Sequence, residues 1–205
     1  KVLFNKIDLE LPNNQITGLL GANGAGKTSL FRAIAGLSSI DSGELTFFGK
    51  DLVDMTLEQR AAAGLSYVPQ ENSLFEDLTL LENLIAVIEL RFGHTTDKKI
   101  KETESLLEKM NLFEKKDIKA KNISGGEKRK TEILRAIVLE SKFILLDEPF
   151  AGVDPISVEE INKILKDLKN RVGIFISDHN FRDVINVCDL IILLNQGEVL
   201  MQGTP

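Results

Sequence analysis

The sequence predicts an α/β fold built on a mainly parallel sheet covered on both faces, with a small antiparallel part and an inserted helical segment. Three observations carry that prediction. Apolar runs of strand length alternate along the chain with segments of helical period. Some of the runs, Phe143–Leu146 and Leu190–Leu194, are continuously apolar, as strands buried on both sides are. Helix starts stand between them as capping boxes. A length of 205 residues suits one domain, 1–205, with room for a subdomain but not for a second full domain.

The elements follow in order. Ile16–Leu20 reads as the first strand and Lys27–Gly36 as the helix after it. A strand lies between Gly43 and Phe48, with Gly49-Lys50 as its turn. Thr56 with Gln59 opens a helix, and Leu65–Val68 is a strand. From 71 to 122 the pattern is helical (Leu80–Phe92, opened by Thr79 with Glu82, then Lys98–Met110) and holds no good strand. That stretch is read as a helical subdomain inserted between two strands. Ser124 with Glu127 starts a helix running to about Leu139, and Asp154 caps another that has Pro155 in its first position. Phe143–Leu146, Val172–Ser177 and Leu190–Leu194 complete the strands. Ile191–Leu194 and Glu198–Met201 close as a hairpin around Gln196-Gly197.

Composition excludes several classes. With 43% hydrophobic and 27% charged residues the chain can build a full core, and disorder is excluded. The longest apolar runs, Leu84–Ile88 and Leu190–Leu194, fall far short of the roughly 20 residues a membrane-spanning helix needs. A net charge of −6 argues against a dedicated nucleic-acid binder. The lone Cys188 makes no internal disulfide and reads as a small apolar packing group. With no signal peptide in view, it predicts a reducing cytoplasm. The opening lysine predicts that the chain is a piece of a slightly longer one. Two distant histidines and one cysteine give no metal-site spacing, and His94 reads as a solvated loop residue.

Chemistry concentrates in three places. Gly21, Ala22, Asn23, Gly24, Ala25, Gly26, Lys27 and Thr28 fit the phosphate-loop pattern between a strand and a helix. Its glycines let backbone N–H groups turn toward phosphates, Lys27 adds charge, and Thr28 offers a hydroxyl to Mg2+. Phe143–Leu146 leads into Asp147 and Glu148. Beside a phosphate loop these two become a metal ligand and a general base. Ser124-Gly125-Gly126 places two glycines in the first turn of a helix. The helix-propensity penalty, about 0.8–1.0 kcal/mol each, asks for a compensating use, and bare N–H groups at a helix start bind anions. Lys128-Arg129-Lys130 with Arg135 reads as a solvated basic face.

Taken in order, the phosphate loop, Gln70, Ser124-Gly125-Gly126, Phe143 to Glu148, Ala151-Gly152-Val153-Asp154 and His179 resemble the nucleotide-binding subunit of ATP-binding-cassette transporters over essentially the whole chain. The resemblance implies a head-to-tail homodimer with two ATP molecules at the interface. Each lies between the phosphate loop of one protomer, Ser29 included, and the Ser124 signature of the other. It implies that Gln70 touches Mg2+ and the attacking water, that Thr28 and Asp147 hold the metal, and that His179 meets the γ-phosphate. It also implies that Asp154 couples the two sites. The family's usual glutamine after the signature glycines is Glu127 here. The adenine-stacking aromatic belongs upstream of this chain, and Phe4 reads as a sheet-packing residue instead.

The 68–75 stretch, Asp147 through Val158, and Ser177-Asp178-His179-Asn180 resemble the ATPase of lipopolysaccharide-export transporters. Branched-chain amino acid importers are similar in the same places, though less so. The export family implies a pair of membrane partners docking near Phe75 and a place on the cytoplasmic face of the inner membrane. Phe75 reads as exposed, and Leu78, Leu80 and Leu84 read as core more than as groove. Cassettes of DNA repair or translation carry long coiled coils or paired cassettes, which this chain lacks. A module that binds ATP without hydrolysing it would not need Glu148 and His179.

Overall fold

The computed structural model describes Phe4 and residues 7–205. Six strands form one sheet: β1 (Ile16–Leu20), β4 (Leu65–Val68), β5 (Phe143–Asp147), β6 (Gly173–Ser177), β7 (Leu190–Asn195) and β8 (Glu198–Gly203). Their order is β4-β5-β6-β1-β7-β8, parallel throughout except where β8 turns back on β7. A separate antiparallel pair, β2 (Thr46–Phe47) and β3 (Lys50–Asp51), turns at Phe48-Gly49, one residue earlier than the sequence suggested. Both turn residues take positive φ, 49° and 76°, as a two-residue hairpin of the primed type demands. Lys50 is thereby released to pair with Phe47.

Strand parity divides the core in two. Ile144, Leu146, Ile174 and Ile176 enter one cluster, while Phe143, Leu145 and Phe175 enter the other. The second face is covered by α1 (Lys27–Ala35), whose Phe31 stacks on Phe175 with ring centroids 4.7 Å apart. On the first face lie α5 (Gly125–Val138), α6 (Pro155–Leu168) and α7 (Phe181–Val187). Between β4 and β5 the chain also runs through α3 (Leu80–Phe92), α4 (Asp97–Lys109) and two 3-10 turns, Phe113–Lys115 and Ala120–Asn122. Leu80, Leu84, Ile88 and Leu107 are fully or almost fully buried in the same cluster as Ile144 and Ile174, so this segment and the sheet share one core. The three expected capping boxes all form, at Thr56, Thr79 and Ser124. Cys188 is buried, and burial pushes its thiol up to about 12.

Arg60, in α2 (Leu57–Ala63), is 2% exposed and has no acidic partner among the described residues. Its guanidinium donates to the carbonyls of Ala33 and Ile34 (2.7 and 2.8 Å), Met55 (3.0 Å) and Val53 (3.3 Å). A cation at the C-terminal end of α1 complements the helix dipole and satisfies carbonyls that the helix itself leaves open. Arg60 therefore anchors the far end of the helix whose near end follows the phosphate loop. Replacing Arg60 by Met keeps the bulk and strips those donors. The expected loss is about 3 kcal/mol of stability, read as a melting temperature lower by roughly 6–12 °C; an unchanged melting temperature would contradict the anchor.

Candidate functional site

The loop after β1 turns through Gly24 and Gly26 at φ 80° and 105°, which only glycine adopts without strain. Gly21 has a different constraint: a Cβ there would lie 2.3 Å from the carbonyl oxygen of Leu194. Ala22 and Asn23 are exposed, Ala25 is buried, and Ala25 N–H closes the loop onto Ala22 O at 3.0 Å. α1 then begins at Lys27 with no side-chain cap and no acidic residue in its first turn, so its leading N–H groups and positive dipole end face the loop. Lys27 is buried, its ammonium donating to Gly21 O (2.7 Å) and Ala22 O (3.2 Å). Ser29 follows in the first turn. Phe4 packs at the edge of the core, as the sequence suggested, and its ring closes over Gly26.

Asp147 ends β5 with no exposure at all. Its Oδ1 accepts from Thr28 Oγ1 at 3.4 Å and its Oδ2 from Tyr67 Oη at 3.2 Å. Burial raises the Asp147 carboxyl above the usual range, with the hydroxyl contacts opposing the shift. Burial first, and then the Asp147 charge, push the Tyr67 phenol upward. Ser177 stands opposite Asp147 in the sheet register, its hydroxyl buried and without a hydrogen bond among the described residues. A buried carboxylate with no cation partner among the described residues, beside hydroxyl oxygens, offers the oxygen donors that suit a hard divalent ion.

Glu148 follows in the left-handed region at φ 47°, a costly conformation for a residue with a side chain. The turn delivers its carboxylate to the point where two other loops converge. Glu148 Oε2 accepts from Gln70 Nε2 at 2.8 Å and lies 3.4 Å from His179 Nδ1. Glu148 is largely covered, whereas Gln70 and His179 are exposed.

At the start of α5, Ser124 accepts from Glu127 N–H at 3.3 Å, and Glu127 returns the bond to Ser124 N–H at 2.9 Å. Gly125 is exposed and open: the nearest atom to a Cβ there is Gly152 O at 3.6 Å. Gly126 is buried, and a Cβ would meet Ser157 Oγ at 2.3 Å and Asp154 Oδ2 at 3.1 Å. The second glycine thus has a packing reason that the sequence did not reveal, the close approach of α6. Asp154 caps α6, accepting from Ser157 N–H (3.0 Å) and Ser157 Oγ (2.7 Å). Among the described residues no hydrogen bond joins Ser124, Gly125 or Gly126 to the phosphate loop. A small cleft of about 120 Å³ runs between Gly125, Gly152, Gln70 and Glu148.

The basic run on α5 corrects the sequence reading. Arg129 and Lys130 are 5% and 4% exposed, because α5 lies between the sheet and its neighbours and both side chains have internal acceptors. Arg129 donates to Pro69 O and Asp147 O, both at 2.6 Å, and to Glu132 at 3.0 Å. Lys130 reaches Met110 O (3.0 Å) and Glu160 (2.7 Å). Glu132 in turn accepts from Ser73 N–H and Oγ at 2.6 and 2.9 Å. The Arg129 and Glu132 spacing of three was the available signal, since it puts the pair on one helix face.

Leu80 and Leu84 are core residues, as expected. Phe75 is 43% exposed and, with Leu78, Ala86, Glu89 and Leu90, lines a cleft of about 440 Å³. Asn83 pins Phe75 at both backbone groups, 2.8 and 3.0 Å, and the Arg135 guanidinium lies 5.1 Å from its ring centroid.

The fold and the sequence have known counterparts. The ABC transporter family model matches residues 4–151. The chain belongs to the ABC transporter family. As a cassette ATPase it binds nucleotide. It is 44% identical over 204 residues to the lipopolysaccharide export system ATP-binding protein LptB of Haemophilus influenzae, covering 99% of this chain and 85% of that protein. The Escherichia coli K12 protein of the same name is 39% identical over 200 residues, covering 97% and 83%. The crystal structure of an ATP-binding cassette of an ABC transporter in its ADP conformation superposes with a TM-score of 0.89 at 25% identity, covering 99% of this chain and 85% of that one. No helix among the described residues of the cassette is long and apolar enough to cross a membrane.

The raised pKa of Asp147 has a consequence for stability. Between the ordinary carboxylate value and the raised one, the folded chain holds the proton more tightly than the unfolded chain, so stability falls as pH rises through that window. Asp147→Asn removes this cost. In EDTA at pH 8 it is expected to melt at or above the parent cassette, by about 2–4 °C per kcal/mol recovered, with the gap closing on acidification. A lower melting temperature at pH 8 would mean that the ionised carboxylate stabilises the cassette.

Proposed function

We propose that this cassette is the ATP-hydrolysing subunit of a lipopolysaccharide export transporter, working as a head-to-tail homodimer. The observation that carries the hydrolytic reading is the meeting of Gln70 and His179 at one carboxylate, Glu148, beside a phosphate loop. The export reading is supported by the relatives that bear that name across nearly the whole chain.

The phosphates of ATP lie along the loop from Gly21 to Gly26, on the N–H groups that open α1. Lys27 exchanges its two loop carbonyls for β- and γ-oxygens, and Ser29 and Thr28 close the cradle. Thr28, Asp147 and Gln70 would hold a Mg2+ ion, which would supply neutralisation of the phosphate charge. Glu148 accepts the proton of the attacking water, Gln70 orients that water, and His179 faces the γ-phosphate. Ser124, Gly125 and Gly126 at the positive end of α5 supply the second anion site to the nucleotide of the partner protomer, and Asp154 sits at the same junction. ATP therefore bridges two copies, and hydrolysis removes the bridge.

Membrane partners dock in the cleft at Phe75, on the cytoplasmic face of the inner membrane. The segment from Gln70 to Phe75 is fastened to α5 by Arg129 at Pro69, Glu132 at Ser73 and Arg135 at Ser73 O (2.7 Å), so movement of Phe75 loads on Gln70. The helical segment 71–122 carries this docking surface.

Glu148→Gln is expected to bind ATP and accumulate as a dimer in size-exclusion chromatography, with steady-state phosphate release at least about 100-fold lower; normal turnover would remove the base assignment. The two signature glycines separate packing from binding. Gly125→Ala should melt at or above the parent, gaining about 0.8–1.0 kcal/mol of helix propensity, yet lose ATP-driven dimerisation. Gly126→Ala should melt lower, because Ser157 must move. The reverse pattern would refute the split. For the cargo, the full-length protein purified from its native membrane should bring down integral partners and lipopolysaccharide. Partners carrying amino acid instead would point to an importer.

A further inference from the structure

Asp178 is a carboxylate with no exposed surface and no lysine or arginine partner among the described residues. A charge so placed is retained only where fixed dipoles or a nearby proton repay its desolvation. Its Oδ2 accepts from Phe150 N–H at 3.0 Å, and its Oδ1 from Asn180 N–H at 2.9 Å. The second bond is local, closing the turn in which His179 sits. The first reaches across to the loop that follows Glu148, where an ordinary turn-closing aspartate would have no reason to reach.

A second fastening runs beside it, Glu148 N–H to Ser177 O at 2.6 Å. Together the two bonds fix the loop at 148–150 against the loop at 178–180, and so fix the distance between Glu148 and His179. The histidine lies between two carboxylates: its Nδ1 is 3.4 Å from Glu148 Oε2 and 3.5 Å from Asp178 Oδ1. Both carboxylates accept other bonds, Glu148 one from Gln70 and Asp178 two from backbone N–H groups, and both keep lone pairs near Nδ1. Asp178 is the one not exposed to water. An imidazole with acceptors crowding one nitrogen carries its proton there, and presents the other nitrogen outward.

We propose that Asp178 is a positioning residue for His179. Its carboxylate locks the histidine loop to the Glu148 loop and faces Nδ1 as the acceptor that keeps the proton on that nitrogen, which leaves Nε2 turned toward the nucleotide. The catalytic consequence rests on the ATPase reading above; the state of the ring does not.

Two histidines in the chain make the test clean. In nucleotide-free protein labelled with 15N-histidine and carrying His94→Gln, the ring of His179 is the single signal. At a pH where it is neutral, the proton is expected on Nδ1, and Asp178→Asn is expected to return it to Nε2, the form free imidazole favours. In steady-state hydrolysis Asp178→Asn is expected to lower kcat about 10-fold or more with KM for ATP within about twofold. In a His179→Ala background the same substitution should cost nothing further. A proton on Nε2 in the parent protein overturns the proposal, and that spectrum decides even if Asp178→Asn does not fold. Equal losses in the parent and His179→Ala backgrounds also overturn it, because the effect would not pass through the ring. A parent protein that hydrolyses no ATP, yet holds the Nδ1 proton, contradicts the function and leaves the positioning intact.

Discussion

Four loops leave the same end of one parallel sheet, and the chemistry of this cassette depends on that constraint. β1 delivers the phosphate loop, β4 leads to Gln70, β5 ends in Asp147 and Glu148, and β6 leads to His179. Antiparallel pairing would send alternate loops to opposite ends. The register matters as much as the direction: Val68 pairs with Leu146, Asp147 with Ser177, and Ser177 with Leu19, so the strand ends stand level. A slip of one residue would exchange the faces of a strand and carry Asp147 out of reach of Thr28. The crevice at the carboxyl ends of such strands is where open α/β sheets place their ligands.

Holding charged groups there is costly, and the surrounding structure shows how the cost is met. Asp147 is buried with hydroxyl partners alone, and Glu148 sits in a strained backbone region. Arg129 donates to the carbonyl of Asp147 on one side and of Pro69 on the other, so a single guanidinium from α5 sets both the Glu148 turn and the start of the Gln70 segment. The same helix begins with Ser124 and the signature glycines. A displacement of α5 thus reaches Glu148 through Arg129. Asp178 adds the complementary fastening from the histidine side.

Much of this was legible in the residues. Strand cores such as Ile16–Leu20 and Leu65–Val68, the helix Leu80–Phe92, the three capping boxes and the Asp154-Pro155 start follow from local chemistry, and local chemistry placed them. That the phosphate loop, Gln70, Glu148 and His179 come to one end of the sheet was legible because motif spacing follows the order of loops along parallel strands. What stayed hidden depends on contacts between distant segments. Arg129 and Lys130 look like a solvated run until α5 is placed on the sheet. Tyr67 carries no motif, Asp178 stands in a motif that gives it no role of its own, and Gly126 reveals its packing role only when α6 lies across it. The hairpin turn at Phe48-Gly49 was misplaced by one residue, because a non-glycine at positive φ gives no warning in composition.

The central claim is that each nucleotide is held by the phosphate loop of one copy and the α5 start of the other. Complementation tests it most directly: Lys27→Ala and Ser124→Arg variants, each inactive alone, are mixed so that mixed dimers form. Such a dimer contains one site with intact Lys27 and intact Ser124 on different chains, together with one doubly damaged site. The account predicts that phosphate release rises well above the sum of the two separate variants. If the mixture stays as inactive as its components although mixed dimers are present, the two elements do not meet across an interface, and the shared-site account is wrong.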